Sequence, residues 1–315
     1  MHWALAIPLV VLGVSATALC VALAQAPKAP PPMQTIAGAI TEIDFRDLPA
    51  KSTFTARDGT KLNYRAYPGN PAKIAVLVHG SSGTSASMHA VAKALQARGW
   101  TAYALAMRGH DGTGRYGDID YAGQLNDDLA DFVKTLPAGG EKLLLGFSSG
   151  GGFVLQFAGS AEGKLFDRFV LISPQLPAGS PTMRPNAGGW VSIGLPRIIA
   201  LEVLSRFGIH WFEGLTVLEF AVAPENRTVQ TAHYSYRMMR NFGPSADYLG
   251  DIKRAPGPVT LLAGNSDELF YADKFANTLK PARPDMKIVI LPRLGHMDMA
   301  VKPKALEAIA QVVAE

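Results

Sequence analysis

Ser148 is the residue of this sequence best placed to act as a nucleophile. It is centred in Gly146-Phe147-Ser148-Ser149-Gly150, where two patterns meet. The apolar run Glu141 to Phe147 predicts a short buried strand. Gly150-Gly151-Gly152-Phe153-Val154-Leu155-Gln156-Phe157 predicts the start of a packed helix. A serine on so sharp a strand-to-helix turn needs glycines two residues to either side, because larger side chains would clash where the elements meet. That geometry lifts the hydroxyl clear of the sheet edge, within reach of a base and a substrate carbonyl. Centring the motif on Ser149 instead would put Phe147 where a glycine is required. For the pentapeptide alone, a glycine-rich turn with incidental serines is the competing reading.

A serine hydroxyl is a poor nucleophile until a base accepts its proton, and the base must itself be oriented, commonly by a carboxylate. Both partners occur downstream. Asp267 ends Ala263-Gly-Asn-Ser-Asp267, directly after the predicted strand at Val259. His296 ends Leu291-Pro-Arg-Leu-Gly-His296, directly after the last predicted strand. Each also has a plainer role: Asp267 as the cap of a helix beginning near Leu269, His296 as an ordinary loop histidine. Glu268 and Asp298 are alternative carboxylates, although neither sits as naturally at a strand end. The order Ser148, Asp267, His296 is the order of α/β-hydrolase triads and differs from the other two common ones. Negative charge developing on a substrate oxygen needs two backbone N–H donors. One is expected from Ser149. The other is expected from His79-Gly80-Ser81-Ser82-Gly83, with Ser81 the favoured donor and His79 structural rather than catalytic.

The elements that must position these groups alternate along the chain. Phe54 to Tyr67 predicts a hairpin turning at Asp58-Gly59. Strands are expected at Lys73–Val78, Thr101–Met107, Lys142–Phe147, Arg168–Ser173, Val259–Ala263 and Lys287–Leu291. Helices are expected at Ser87–Arg98, Leu125–Leu136, from Gly150, at Phe270–Leu279 and at Lys304–Val313. Such alternation predicts a mostly parallel sheet covered by helices on both faces. The rhythm breaks between about Pro177 and Pro256, where Trp190, Phe207, Trp211, Phe212, Phe220, Tyr234, Tyr236 and Phe242 occur at helical spacing without a convincing strand. The expectation is a helical cap over the C-terminal ends of the strands, where open α/β sheets bind ligands. Most of these aromatics would form the cap's own core, and a minority would line an apolar cleft.

Bulk composition narrows the remaining classes. The 315 residues are 48% hydrophobic and 18% charged, enough for one large core. The net charge of +4 is scattered, with no basic run interleaved with aromatics, so no nucleic-acid partner is expected. The single cysteine, Cys20, excludes an intrachain disulfide, and the seven histidines lack metal-ligand spacing. No metal and no cofactor are expected. Trp3 to Ala24 is almost uninterruptedly apolar, with no Lys or Arg before Lys28. It fits a cleaved signal peptide, ending in small-x-small triplets at Ala22-Leu23-Ala24 and Ala24-Gln25-Ala26. It is also long enough for a transmembrane anchor. Ala26 to Pro32 holds four prolines in seven residues, a stiff extended tether. The expected organisation is a signal peptide or transmembrane anchor over 1–26, a Pro-rich linker over 27–50, and a catalytic domain over 51–315 with its cap at about 177–256. The expected location is a membrane-anchored, extracytoplasmic domain, or a secreted or periplasmic one after cleavage.

Over roughly residues 50 to 315 the sequence resembles the α/β-hydrolases of the monoacylglycerol lipase and serine aminopeptidase-like group. The matching pieces are His79-Gly80, Arg108-Gly109-His110-Asp111-Gly112, the Ser148 turn, Asp267 and Gly295-His296. The resemblance implies a Ser148 nucleophile, a His296 base and an Asp267 orienter. Asp111 departs from the glycine usual in that family, and the loop after His79-Gly80 differs from that of monoacylglycerol lipases. The function expected is hydrolysis of carboxylic esters with apolar acyl groups, with a small-molecule ester or lipid as partner and the membrane as a second partner if the N-terminal segment is retained. An aminopeptidase-type amide hydrolase and a catalytically silent binding domain are the alternatives.

Overall fold

The computed structural model describes residues 17–40 and 42–315. Its centre is an eight-stranded sheet of β1 (Lys51–Thr55), β2 (Lys61–Tyr67), β3 (Asn70–Val78), β4 (Trp100–Leu105), β5 (Glu141–Phe147), β6 (Arg168–Ile172), β10 (Val259–Gly264) and β11 (Lys287–Leu291). Their order across the sheet is β1-β2-β4-β3-β5-β6-β10-β11. β1 and β2 form the expected hairpin, with Gly59 at φ 84° in its turn, and β2 runs antiparallel to β4. From β4 to β11 every neighbouring pair is parallel. A parallel sheet needs both faces covered, and its central strands are accordingly apolar throughout. Ile74 to Val78 and Leu143 to Leu145 are fully buried.

The covering helices bury apolar side chains against the sheet. His89–Gln96 buries Val91, Ala92 and Leu95 and packs on β4 and on the C-terminal helix Pro303–Ala314. Ser149–Ala158 is buried along nearly its whole length and packs on β5, β6 and the helix Tyr248–Arg254. Between β6 and β10 lies the cap. Beside its helices, among them Leu195–Arg206 and Tyr236–Asn241, it holds a small antiparallel sheet of β7 (Val191–Ile193), β8 (Thr216–Phe220) and β9 (His233–Ser235). Two of these strands are only three residues long, too short for alternation to register in the sequence. Of the cap aromatics, Trp190, Phe220, Tyr234, Tyr236 and Phe242 are buried, whereas Phe207, Trp211 and Phe212 are exposed.

The N-terminal segment runs along the cap. Residues 17–24 are helical, and the Leu23 carbonyl accepts a 2.7 Å hydrogen bond from the buried Arg197. Met33 donates its N–H to the Ala221 carbonyl at 3.2 Å, and a helix follows over Gln34–Ile40. Glu42 then pairs with Lys302 at 2.6 Å, and Asp47 pairs with both His89 and Lys93. The expectation of a transmembrane helix and a membrane-anchored, extracytoplasmic domain is corrected here. Among the described residues no helix is long and apolar enough to cross a membrane. The rest of the apolar segment, residues 1–16, lies outside the described residues.

Candidate active site

Ser148 sits between β5 and the Ser149–Ala158 helix at φ 56°, ψ −121°. Positive φ is costly for a residue with a Cβ and persists only where the surroundings impose it. Here Ser148 donates its N–H to the Ile172 carbonyl at 2.9 Å, while its own carbonyl accepts from Gly152 and Gln175. The flanking glycines are required by space. A Cβ on Gly146 would come closer than 3.0 Å to the Gly150 carbonyl, and one on Gly150 closer than 3.0 Å to the carbonyls of Val78, at the end of β3, and His79 just after it.

Asp267 stands three residues after the end of β10, and His296 on the loop after β11. The two side chains meet. His296 Nδ1 donates to Asp267 Oδ2 at 2.8 Å, with both groups almost fully buried. The bond fixes the tautomer and leaves Nε2 as the accepting nitrogen. The imidazole lies between Phe147 and Phe270, at ring-centroid distances of 4.8 and 5.0 Å. The other carboxylate oxygen, Asp267 Oδ1, accepts the backbone N–H groups of Leu269 and Phe270 at 2.9 and 3.0 Å. No helix begins at Leu269, the next helical turn being Ala272–Lys274, so Asp267 fastens a turn rather than capping a helix, and meets His296 through its other oxygen. Burial opposes ionisation of this carboxyl, but the His296 charge and hydrogen bond, with the two N–H groups, outweigh it and hold its pKa below the ordinary value. Glu268 and Asp298 accept backbone N–H groups, of His296 and Gly295 respectively, and neither has a hydrogen bond to the imidazole.

Ser148 and His296 line one cavity of about 50 Å³ together with the Gly80–Gly83 loop. Among the described residues no hydrogen bond joins Ser148 Oγ to His296; catalytic hydrogen bonds commonly tighten only when substrate arrives. No intrachain hydrogen bond uses the backbone N–H of Ser81 or Ser149 among the described residues, which leaves both donors available. Two cap side chains hold the Ser81 loop from above. Trp190 donates its indole N–H to Ser81 Oγ at 2.9 Å, and Tyr234 accepts the Ser82 N–H at 3.2 Å. Tyr234 in turn donates to His110 Nε2 at 2.7 Å. His79 is fully buried, with Nδ1 donating to the Gly80 carbonyl and Nε2 accepting from Met107 N–H. Burial lowers its pKa to about 4 and keeps it neutral. It has no hydrogen bond to Ser148.

Asp111, the departure from the family glycine, lies at φ 52°, a conformation that aspartate tolerates better than most residues. Its carboxylate bridges Lys51 on β1 and Ser85, at 2.6 Å to each side chain. The carboxylate thus ties the edge of the sheet to the segment following the Ser81 loop.

The remaining cavity walls are Ile36, Ser87, Phe147, Trp190, Gln230, Leu269 and Met297. Sequence reasoning assigned none of them to a site. Helical spacing does not rank Trp190 above the other cap aromatics, and Ile36 follows the proline-rich stretch with no motif around it.

A model of the alpha/beta hydrolase family matches residues 75–309. The chain belongs to the alpha/beta hydrolase family. Solved structures share the fold at low identity. A monoglyceride lipase from Saccharomyces cerevisiae, in a soluble variant, is 16% identical with a TM-score of 0.61, covering 86% of this chain and 96% of that one. A monoacylglycerol lipase from Paleococcus ferrophilus is 18% identical with a TM-score of 0.58, covering 80% and 98%. An E-2-(acetamidomethylene)succinate hydrolase is 22% identical with a TM-score of 0.57, covering 84% and 100%. A search of curated proteins found no match to the sequence. As an alpha/beta hydrolase, the chain carries its candidate site where the family fold gathers ligands, beyond the C-terminal ends of the parallel strands.

Proposed function

We propose that this alpha/beta hydrolase is a serine hydrolase of carboxylic esters, with Ser148 as nucleophile, His296 as base and Asp267 as orienter. The carrying observation is the buried 2.8 Å contact between Asp267 and His296, formed on two separate loops and opening on the cavity that Ser148 lines. Ser148 Oγ attacks the ester carbonyl carbon while its proton passes to His296 Nε2. The carbonyl oxygen becomes an oxyanion, held by the N–H groups of Ser81 and Ser149. Collapse of this adduct breaks the ester C–O bond, and the leaving alkoxide takes the proton from His296. Water, deprotonated by His296, then attacks the acyl-enzyme and releases the carboxylic acid and free Ser148. Asp267, kept ionised, stabilises the imidazolium formed twice in the cycle.

The apolar walls Ile36, Phe147, Trp190, Leu269 and Met297 suit an acyl chain. Lipid esters, the substrates in the names of two neighbours, are one class to try. Among the described residues the lining of this cavity holds no carboxylate, whereas Glu42, Glu268 and Asp298 line the space on the other side of His296 and Met297, where a free amine of an aminopeptidase substrate would find its counter-charge. Ser148→Ala is expected to abolish hydrolysis of p-nitrophenyl esters and covalent labelling by a fluorophosphonate. Undiminished turnover, or labelling at another serine, would overturn the assignment.

A further inference from the structure

We infer that Ile36, on the segment preceding β1, is a specificity-determining residue that walls the cavity beside Ser148 and sets the length of acyl group admitted. The inference rests on the ester-hydrolase reading above. Ile36 is only 8% exposed and packs into the main hydrophobic core rather than projecting into solvent. It lines the same cavity as Ser148, His296 and the Ser81 loop.

Its position is imposed from several points. Upstream, Leu23 is tied to Arg197, and Pro27 lies against Gly194 at the start of the Leu195–Arg206 helix. Immediately before the helix, Met33 is bonded to Ala221, and Ile36 donates its own N–H to the Met33 carbonyl. Immediately after it, Glu42 is paired with Lys302. The segment therefore crosses the cap and ends at the cavity mouth, and Ile36 is where it meets the site.

The opposing walls have little freedom to retreat. Trp190 is held through its indole by Ser81 Oγ. Phe147 is the last residue of β5, and Leu269 follows a turn fastened by Asp267 Oδ1. A cavity of about 50 Å³ has room for about three to five water molecules. That space suits a short acyl group, and lengthening the group requires a wall to give way. Among the described lining residues, Ile36 is the one whose backbone belongs neither to the sheet and its connections nor to the cap. Truncating it removes three carbons from that wall.

The test is the chain-length profile of kcat/KM for p-nitrophenyl acetate through octanoate, in wild type, Ile36→Ala, Ile36→Phe and Ser148→Ala, all as full chains. Ile36→Ala is expected to raise the ratio of long-chain to acetate turnover by about fourfold for each further methylene it lets the site bury. Ile36→Phe is expected to lower that ratio. Opposite shifts by the two variants separate control of specificity from mere structural support, which would change all substrates alike. An unchanged ratio in both variants, or shifts in the same direction, would overturn the inference while Ser148-dependent turnover preserved the ester-hydrolase reading. Full turnover in Ser148→Ala would overturn both.

Discussion

Replacing Asp267 by asparagine probes the site with almost no change of shape. Oδ1 accepts two backbone N–H groups, from Leu269 and Phe270, so the amide oxygen must occupy that side. The amide nitrogen is then forced into the place of Oδ2, 2.8 Å from His296 Nδ1. Two N–H groups cannot face each other, so the imidazole must shed its Nδ1 proton and carry one on Nε2. Nε2 then cannot accept the Ser148 proton, and the imidazolium loses its buried counter-charge as well. For this substitution in a triad the expected loss is about 10⁴-fold in kcat, equivalent to about 5.5 kcal/mol of transition-state stabilisation. The two turn bonds survive, so the variant is expected to remain folded with an unaltered circular dichroism spectrum. The assay is steady-state hydrolysis of p-nitrophenyl acetate, with Glu268→Gln and Asp298→Asn alongside. Among the described residues those carboxylates hydrogen-bond to the backbone N–H groups of His296 and Gly295 and not to the imidazole, so each is expected to lose far less than Asp267→Asn, about tenfold at most, the scale of one ordinary hydrogen bond. Activity of Asp267→Asn within tenfold of wild type would refute the reasoning, as would a larger loss in either companion.

Gly150→Ala places a methyl against the carbonyl oxygens of Val78 and His79, backbone groups that cannot rotate away. It is expected to destabilise the fold by at least about 1 to 3 kcal/mol, read from urea denaturation, and an unchanged midpoint would contradict the close approach. Stability is also expected to fall as pH drops from 6.5 towards 4. Buried His79 titrates at about 4 in the folded state against 6.5 unfolded, so over that window only the unfolded chain gains its proton. The loss approaches about 3 kcal/mol from His79 alone. His110 is shifted the same way by burial and by His79 beside it. Asp267 and Asp111, with pKa values below 3.8, lose their contributions only at lower pH, so the windows separate. Denaturation midpoints at pH 7.5 and 4.5 that agree would refute this.

What was legible in the sequence was what local chemistry dictates. The Ser148 turn is announced by Gly146 and Gly150 because contacts within one strand-turn-helix unit exclude every larger side chain. The meeting of Asp267 with His296 was legible because each follows directly on an apolar strand, and parallel strands deliver their following loops to one edge of the sheet. Burial on both faces makes such strands continuous apolar runs, which is why β3, β5, β6 and β10 can be found from composition alone.

The cap strands and the walls of the cavity depend on contacts between distant segments, and no local pattern encodes those. Trp190 is one aromatic among eight until its indole is seen on Ser81 Oγ, 109 residues away in sequence. β7 and β9 exist because β8 lies between them, and three residues cannot announce a strand unaided. Ile36 is the clearest case. Four prolines between Ala26 and Pro32 favour an extended chain, but extension alone does not say whether the chain leaves the surface or follows it. The bonds from Leu23 to Arg197 and from Met33 to Ala221 decide that it follows the cap, and so bring an aliphatic side chain to the mouth of the cavity. On the proposed reading, the reacting groups lie on short motifs, while the cavity walls are set by long-range packing. Substitutions at the cavity walls are therefore expected to change which ester is preferred, whereas those at Ser148, Asp267 or His296 change whether any is cleaved.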